Sequence, residues 1–196
     1  MIKQEIASVY IYTKDNSIYF VSTDTFRLSE MRFLLEDGLK DDISFIVPIK
    51  SVEKILRVLD GSSDPDISIH IDNDVIYLST KNITVKTNNI SGNFPDYKNI
   101  MPTNFETEIT FLKADLANFL KKARLFSNNL NKISFTIKGK TNELPAFNYR
   151  YINDAISSIA DDRVTFSFTE SQANPLIVRG ADDTNLTALI SPLITN

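Results

Sequence analysis

Asn93-Phe94-Pro95-Asp96-Tyr97-Lys98-Asn99-Ile100-Met101-Pro102 lies near the middle of a 196-residue chain, and the fold turns on how it is read. Pro95 and Pro102 cannot donate a ladder hydrogen bond, and each pushes the residue before it towards extended geometry. Phe94, Tyr97 and Ile100 place large apolar groups between them. The stretch therefore reads as an extended connector that packs against both halves of the chain. A surface loop inside one domain is the plainer alternative, and the similar element orders on either side weigh against it.

Before the connector, residues 6–12 read as a strand, Thr13-Lys14-Asp15-Asn16 as a turn and residues 17–22 as a second strand. Residues 23–28 interrupt the pattern, 31–36 continue as an edge strand, and 43–47 form another strand. Pro48 then sits where the first turn of a helix tolerates proline. Val52, Ile55, Leu56 and Leu59 recur at helical spacing, with Lys50, Lys54 and Arg57 on the polar side. Asp60-Gly61-Ser62-Ser63-Asp64-Pro65 ends that helix, and strands follow at 67–71, 75–79 and 83–87. After the connector come a strand at 106–111 and a helix at 113–126 with Leu116, Phe119, Leu120 and Ala123 on its apolar face. A strand at 132–137 follows, and Phe147-Asn148 opens a helix to Ile159, with Tyr151, Ile152, Ala155, Ile156 and Ile159 on one side. Strands at 164–168, 176–179 and 186–190 close the series.

Each half thus ends as helix, strand, strand, strand. A degenerate repeat of roughly a hundred residues is a repeat of domains rather than of solenoid units. The expected fold class is α+β, with two similar domains of antiparallel sheet backed by helices, at 1–102 and 103–196.

Composition narrows the function. An apolar content of 42% is ample for a core, and no apolar run approaches the ~18 residues of a membrane span. The first residues lack the basic-then-apolar pattern of a secretory signal. The absence of cysteine excludes a disulfide framework and thiolate metal sites, and suits a cytoplasmic protein. With one histidine, His70, on the wet side of a strand, Ser-His and Cys-His arrangements fail at the inventory. The Asp clusters fall in turns, where Asp is favoured for backbone reasons, and no glycine loop for phosphate is present. The expectation is a protein that is no enzyme and needs no metal or cofactor.

Two surfaces remain. One is apolar: Leu28, Pro95, Ile100 and the ending Leu189-Ile190-Ser191-Pro192-Leu193-Ile194, although an ending that apolar is more often the last strand of a core. The other is basic, with Lys50, Lys54 and Arg57 on one helix and Lys121, Lys122 and Arg124 on another. A net charge of -4 argues against wholesale attraction to nucleic acid but leaves room for a local basic face.

Three stretches together resemble the beta subunit of bacterial DNA polymerase III, the ring-shaped processivity clamp. They are Val21-Ser22-Thr23-Asp24-Thr25-Phe26-Arg27-Leu28, Gly92-Asn93-Phe94-Pro95-Asp96-Tyr97 through Pro102, and Leu189-Ile190-Ser191-Pro192-Leu193. Ile46-Val47-Pro48 and Phe147-Asn148, each leading into a helix, are further landmarks. The resemblance implies repeated sliding-clamp-type domains, antiparallel sheets outside and helices on the inner face. In the family, three such domains form each chain, and two chains close head to tail as a homodimer around duplex DNA. This sequence resembles the second and third domains only. The second lacks the helix expected before Ile6, and the third is short at 138–146. Without a first domain, ring closure by this chain alone is not expected.

The resemblance also implies a cleft between the second and third domains where the polymerase, the clamp loader and repair proteins dock short peptides. Ile6, Thr23, Thr25, Phe26, Arg27 and Leu28 would form one wall, and Pro95, Asn99 and Ile100 would come from the connector. Asn148, Tyr151, Pro175, Leu189, Ile190, Ser191, Pro192, Leu193 and Ile194 would form the other wall. Phe26 replaces a frequent histidine and Ile194 a frequent basic residue, which makes the cleft more apolar. Lys50, Arg57, Lys121, Lys122 and Arg124 would face DNA on one concave side, touching phosphates without reading bases. Two other classes of answer are a nucleic-acid-binding module that forms no ring, and a structural two-domain protein whose ending completes a core.

Overall fold

The computed structural model describes residues 4–35, 42–64, 66–126, 131–136, 144–169 and 174–193. It divides into two compact units, one of Met1–Asp24 and Arg32–Pro95, the other of Thr25–Met31 and Asp96–Asn196.

In unit 1, β1 (Ser8–Lys14) and β2 (Ser17–Thr23) form a hairpin that pairs Lys14 with Ser17. Its two-residue loop, Asp15 and Asn16, has φ of 49° and 57°, the mirror-image turn whose twist suits a tight hairpin. β4 (Ser44–Pro48) pairs with the other side of β1. A separate sheet holds β5 (Ser68–Asp72), β6 (Val75–Ser79) and β7 (Thr84–Asn88) in sequence order. The two sheets are tied where Ile46 N–H donates to Asn89 Oδ1 at 2.9 Å and Ile90 N–H to the Ile46 carbonyl at 2.9 Å. Ile11, Phe45, Val47, Ile55 and Ile76 form the core. Strand alternation sends Ile69 and Ile71 into it and leaves His70 exposed, as expected.

The helix α1 (Ile49–Leu59) rests on that core through Ile55, with Val52 and Leu59 partly buried beside it. Leu56, expected on the apolar face, is 55% exposed. It stands about 100° round the helix from Ile55, outside the 52, 55, 59 stripe.

Unit 2 is built on the strands β8 (Thr107–Leu112), β11 (Arg163–Phe168), β12 (Leu176–Gly180) and β13 (Leu186–Ile190), ordered β8-β11-β12-β13 and all antiparallel. Beyond β13 lies β3 (Arg27–Leu34), whose first half pairs Leu28 with Leu189 and Arg27 with Ile190. The second half of β3 belongs to unit 1, where Arg32 Nε donates to Ser17 Oγ at 3.0 Å and Phe33 meets Phe20 edge-on. This strand starts four residues earlier than the edge strand expected at 31–36, and its pairing with β13 stops at Met31. The interruption before it shrinks to three residues, Asp24, Thr25 and Phe26, with Thr25 at φ 76°. A β-branched residue there carries local backbone strain.

Two helices, α2 (Lys113–Arg124) and α3 (Tyr149–Ser158), pack on one face of the unit 2 sheet. Leu116 and Leu120 from α2 and Ile152, Ala155 and Ile156 from α3 meet Val164, Phe166, Val178 and Ile190 from the strands. Phe119, expected among them, is 53% exposed because the buried stripe of α2 runs through 116 and 120. A two-stranded ribbon of β9 (Lys132–Ser134) and β10 (Ala146–Asn148) leads into α3. The expected shortening at 138–146 falls mostly outside the described residues.

Gly180 ends β12 where a Cβ would run into the Asp183 carbonyl and the Asp161 carboxylate. That carboxylate accepts from the N–H groups of Asp182 at 2.9 Å and Asp183 at 2.8 Å, which fixes the turn into β13. These backbone donors hold the Asp161 carboxyl below its ordinary range.

The connector is extended only in part. Phe94 stacks on Tyr10 at 5.0 Å within unit 1, and Tyr10 and Tyr12 continue that stack. Residues Lys98–Ile100 then form a 3-10 turn in unit 2. Tyr97, 5% exposed, donates its hydroxyl to Glu30, and Lys98 Nζ reaches the same Glu30 oxygen at 2.6 Å. No helix among the described residues is long and apolar enough to cross a membrane.

Candidate functional site

The end of β13 gathers residues from four distant parts of unit 2. Asn148 caps α3, its Oδ1 accepting from Arg150 N–H at 3.0 Å, an arrangement worth about 1 kcal/mol to a helix. The cap fixes the first turn, and Tyr151 packs against the edge of the core half-buried, whereas Ile152 beside it is fully enclosed. The Arg27 guanidinium lies 4.6 Å from the Tyr151 ring centroid, and its Nη1 meets Asp154 Oδ2 at 2.5 Å. Ring face and carboxylate together hold the cation at the start of β3.

The chain past β13 is laced into the same region by its backbone. Ser191 N–H donates to the Phe26 carbonyl at 2.8 Å and Leu193 N–H to the Ala146 carbonyl at 2.7 Å. The register that pairs Leu176 with Ile190 brings Pro175 to the same end of the sheet as Ser191. Phe26 is 59% exposed and Ile100 55%, while Pro192 and Leu193 are half-buried.

The expected residues divide as follows. Thr25, Phe26, Arg27, Leu28, Asn99, Ile100, Asn148, Tyr151, Pro175, Leu189, Ile190, Ser191, Pro192 and Leu193 all belong to unit 2. Ile6, Thr23 and Pro95 belong to unit 1. Ile194 lies outside the described residues. The expectation that Leu28 stands open in an apolar groove is corrected: it is 3% exposed. Leu28, Leu189 and Ile177 form a row across three strands, on the sheet face opposite the helices, and Ile190 sits in the core beneath the helices. The apolar ending is therefore partly core after all. Among the expected residues, the accessible apolar side chains include Phe26, Ile100, Tyr151, Pro192 and Leu193.

Asp154, Glu30 and Arg150 were not singled out in sequence. A signal existed for Asp154 alone: Asn148, Tyr151 and Asp154 recur every three residues along one helix stripe. Of the expected basic residues, Lys50 and Arg57 are exposed on α1, and Lys121, Lys122 and Arg124 on α2. Across the three helices, eight basic side chains stand against three acidic ones, a net +5 in a chain of -4. Positive charge is thus gathered on the helices, and the remainder of the chain is strongly acidic.

Units of antiparallel sheet packed with helices belong to the α+β class, and the solved structures they superpose on are DNA polymerase sliding clamps. The Streptococcus pneumoniae DNA polymerase III beta chain superposes with a TM-score of 0.83 at 25% identity, covering 98% of this chain and 58% of that one. A Pseudomonas aeruginosa sliding clamp gives 0.89 at 17% identity, covering 100% and 60%, and shares the fold. Family models agree in sequence: the DNA polymerase III beta subunit central domain matches residues 2–96, and the C-terminal domain matches 132–194. The chain belongs to the DNA polymerase III beta subunit family. It is similar to the beta sliding clamps of S. pneumoniae, 26% identical over 95% of this chain, and Mycoplasma capricolum, 25% identical over 91%. It spans 56% and 54% of those relatives, a little over half their length.

Proposed function

We propose that this chain supplies the central and C-terminal domains of a cytoplasmic sliding clamp, a non-enzymatic processivity factor that tethers replication and repair proteins to duplex DNA. In this reading the central domain with its connector runs through 1–102 and the C-terminal domain through 103–196. The observation that carries it is the convergence of Arg27, Asn148, Tyr151 and the Ser191-Pro192-Leu193 segment at one end of the unit 2 sheet. A partner peptide lays apolar side chains against Phe26, Tyr151 and Leu193, and Arg27 and Asn148 supply the polar rim. Burying a leucine or phenylalanine is worth about 1.5–3 kcal/mol each. Two such anchors leave about micromolar affinity after ordering costs, which suits a site exchanged among partners.

The helices are the DNA-contacting layer in this reading, supported by their net positive charge on an acidic chain. Contact is to phosphates, because each specific base contact would add a barrier of about 1–3 kcal/mol to sliding. Fluorescence polarisation with a Gln-Leu-x-Leu-Phe peptide and with a labelled duplex tests both halves. Saturable peptide binding together with salt-sensitive, sequence-independent DNA binding is expected. Binding of DNA alone would replace the clamp with a simple nucleic-acid module, and binding of neither would leave a structural protein.

A further inference from the structure

We propose that the cavity between α2 and α3 seats one phosphate of the duplex backbone and that Arg150 is its principal ligand. The inference rests on reading the helices as the DNA-contacting layer, and it assigns within that layer a residue the sequence did not point to. The cavity measures about 400 Å³ and is lined by Lys121, Arg124, Tyr149, Arg150, Asn153 and Asp154. Its base is rigid, because Leu120 is 1% and Tyr149 7% exposed in the unit 2 core.

Two helices contribute the charge. Lys121 and Arg124 lie one turn apart on α2, and Arg150 and Asn153 one turn apart on α3. Lys122 points elsewhere and does not line the cavity. The only carboxylate in the lining, Asp154, is engaged by Arg27 at 2.5 Å, which offsets its charge. Among the described residues, neither Lys121 nor Arg150 has an ion-pair partner.

Lys121 and Arg150, set beside a carboxylate that Arg27 already engages, disfavour a metal ion as occupant and favour an anion. The ligand groups are mostly donors, and the guanidinium fork matches two oxygens of a phosphate at once. α2 and α3 together carry five basic side chains against two acidic ones, a balance that suits a polyanion better than a lone carboxylate.

The test measures affinity of the full chain for a fluorescent duplex by anisotropy across a salt series. Arg150→Gln should lower the slope of log affinity against log salt by about 0.9 and weaken low-salt binding roughly tenfold. Lys121→Gln should lower the slope similarly. Arg150→Lys should restore the slope but only part of the affinity, since it keeps the charge and loses the fork. Lys86→Gln, on the exposed side of β7, should change neither. Melting temperatures establish that each variant is folded. If Arg150→Gln and Lys121→Gln behave like Lys86→Gln while the unmodified chain binds, the seat is overturned and the DNA reading stands. If the unmodified chain does not bind duplex at the lowest salt, the DNA reading fails and the seat with it. Inorganic phosphate perturbing the Arg150 amide resonance, with the DNA salt slope unchanged in Arg150→Gln, would assign the cavity to free phosphate and also overturn the proposal.

Discussion

Arg27 and Asp154, 127 positions apart in sequence, meet at 2.5 Å between guanidinium and carboxylate. Both side chains keep substantial exposure, 37% and 58%, so water screens the pair. Such pairs contribute less than about 1 kcal/mol to stability. Arg27→Ala should therefore melt close to the unmodified protein. Its affinity for the Gln-Leu-x-Leu-Phe peptide should fall by about 1–3 kcal/mol, since an arginine over an aromatic ring is a typical interface anchor. Equal losses in melting temperature and affinity would make Arg27 a structural residue instead.

Leu193 tests the terminal segment. Its backbone N–H bonds the Ala146 carbonyl whatever side chain it carries, and the side chain is only half-buried. Leu193→Ala should cost little stability and weaken peptide binding by about 1–3 kcal/mol. Ile190→Ala is the contrast: that side chain is 1% exposed in the core, so about 2–5 kcal/mol of stability should go. Urea unfolding of both variants beside a peptide titration measures the difference.

Tyr97 should prove more than an apolar plug. Its hydroxyl donates to Glu30, a residue only 9% exposed that also receives Lys98. Tyr97→Phe leaves the buried carboxylate short of one donor, a loss of about 1–3 kcal/mol. Adding Glu30→Gln to that variant should cost less than the sum of the two single changes, because both act on one hydrogen-bond group. Additive losses in a denaturant series would mean that the two groups act independently.

Asp161 sets an acid limit on the turn between β12 and β13. The N–H groups of Asp183 and Asp182 stabilise its ionised form, so its folded carboxyl titrates below the unfolded value of about 3.9. The stabilisation is present above the unfolded value and is lost as pH falls through the folded one. Asp161→Asn should lower the melting temperature at neutral pH and flatten its dependence on pH below about 4. An unchanged acid limb in thermal melts at several pH values would remove Asp161 from this role.

Thr25 carries its strain at the point where the chain passes from one unit to the other. Asn tolerates positive φ better than a β-branched residue, so Thr25→Asn should relieve part of about 1–3 kcal/mol of strain. A higher denaturation midpoint is the expected outcome. A lower one would mean that the contacts of the threonine side chain outweigh the backbone cost.

Local chemistry was legible in the sequence because it acts over a few residues. The Asp15-Asn16 hairpin, the helices after Pro48 and Phe147-Asn148, the exposed face of His70 and the helix-strand-strand-strand order on both sides of the connector follow from turn preference and periodicity. So did the clamp resemblance, since its landmarks are short stretches in order. The tertiary structure alone decided where each pattern is cut. Leu56 and Phe119 satisfy a helical repeat yet stay exposed, because a helix lying on a core buries only one stripe, and the neighbours choose it. Leu28 looked like an open anchor and is packed, because β13, coded some 160 residues later, lies beside it. Arg27 finds Asp154, and Arg150 joins Lys121, because distant strands and helices were brought together. Sequence spacing constrains only near neighbours along the chain, whereas burial and charge pairing are set by whatever the whole fold places alongside.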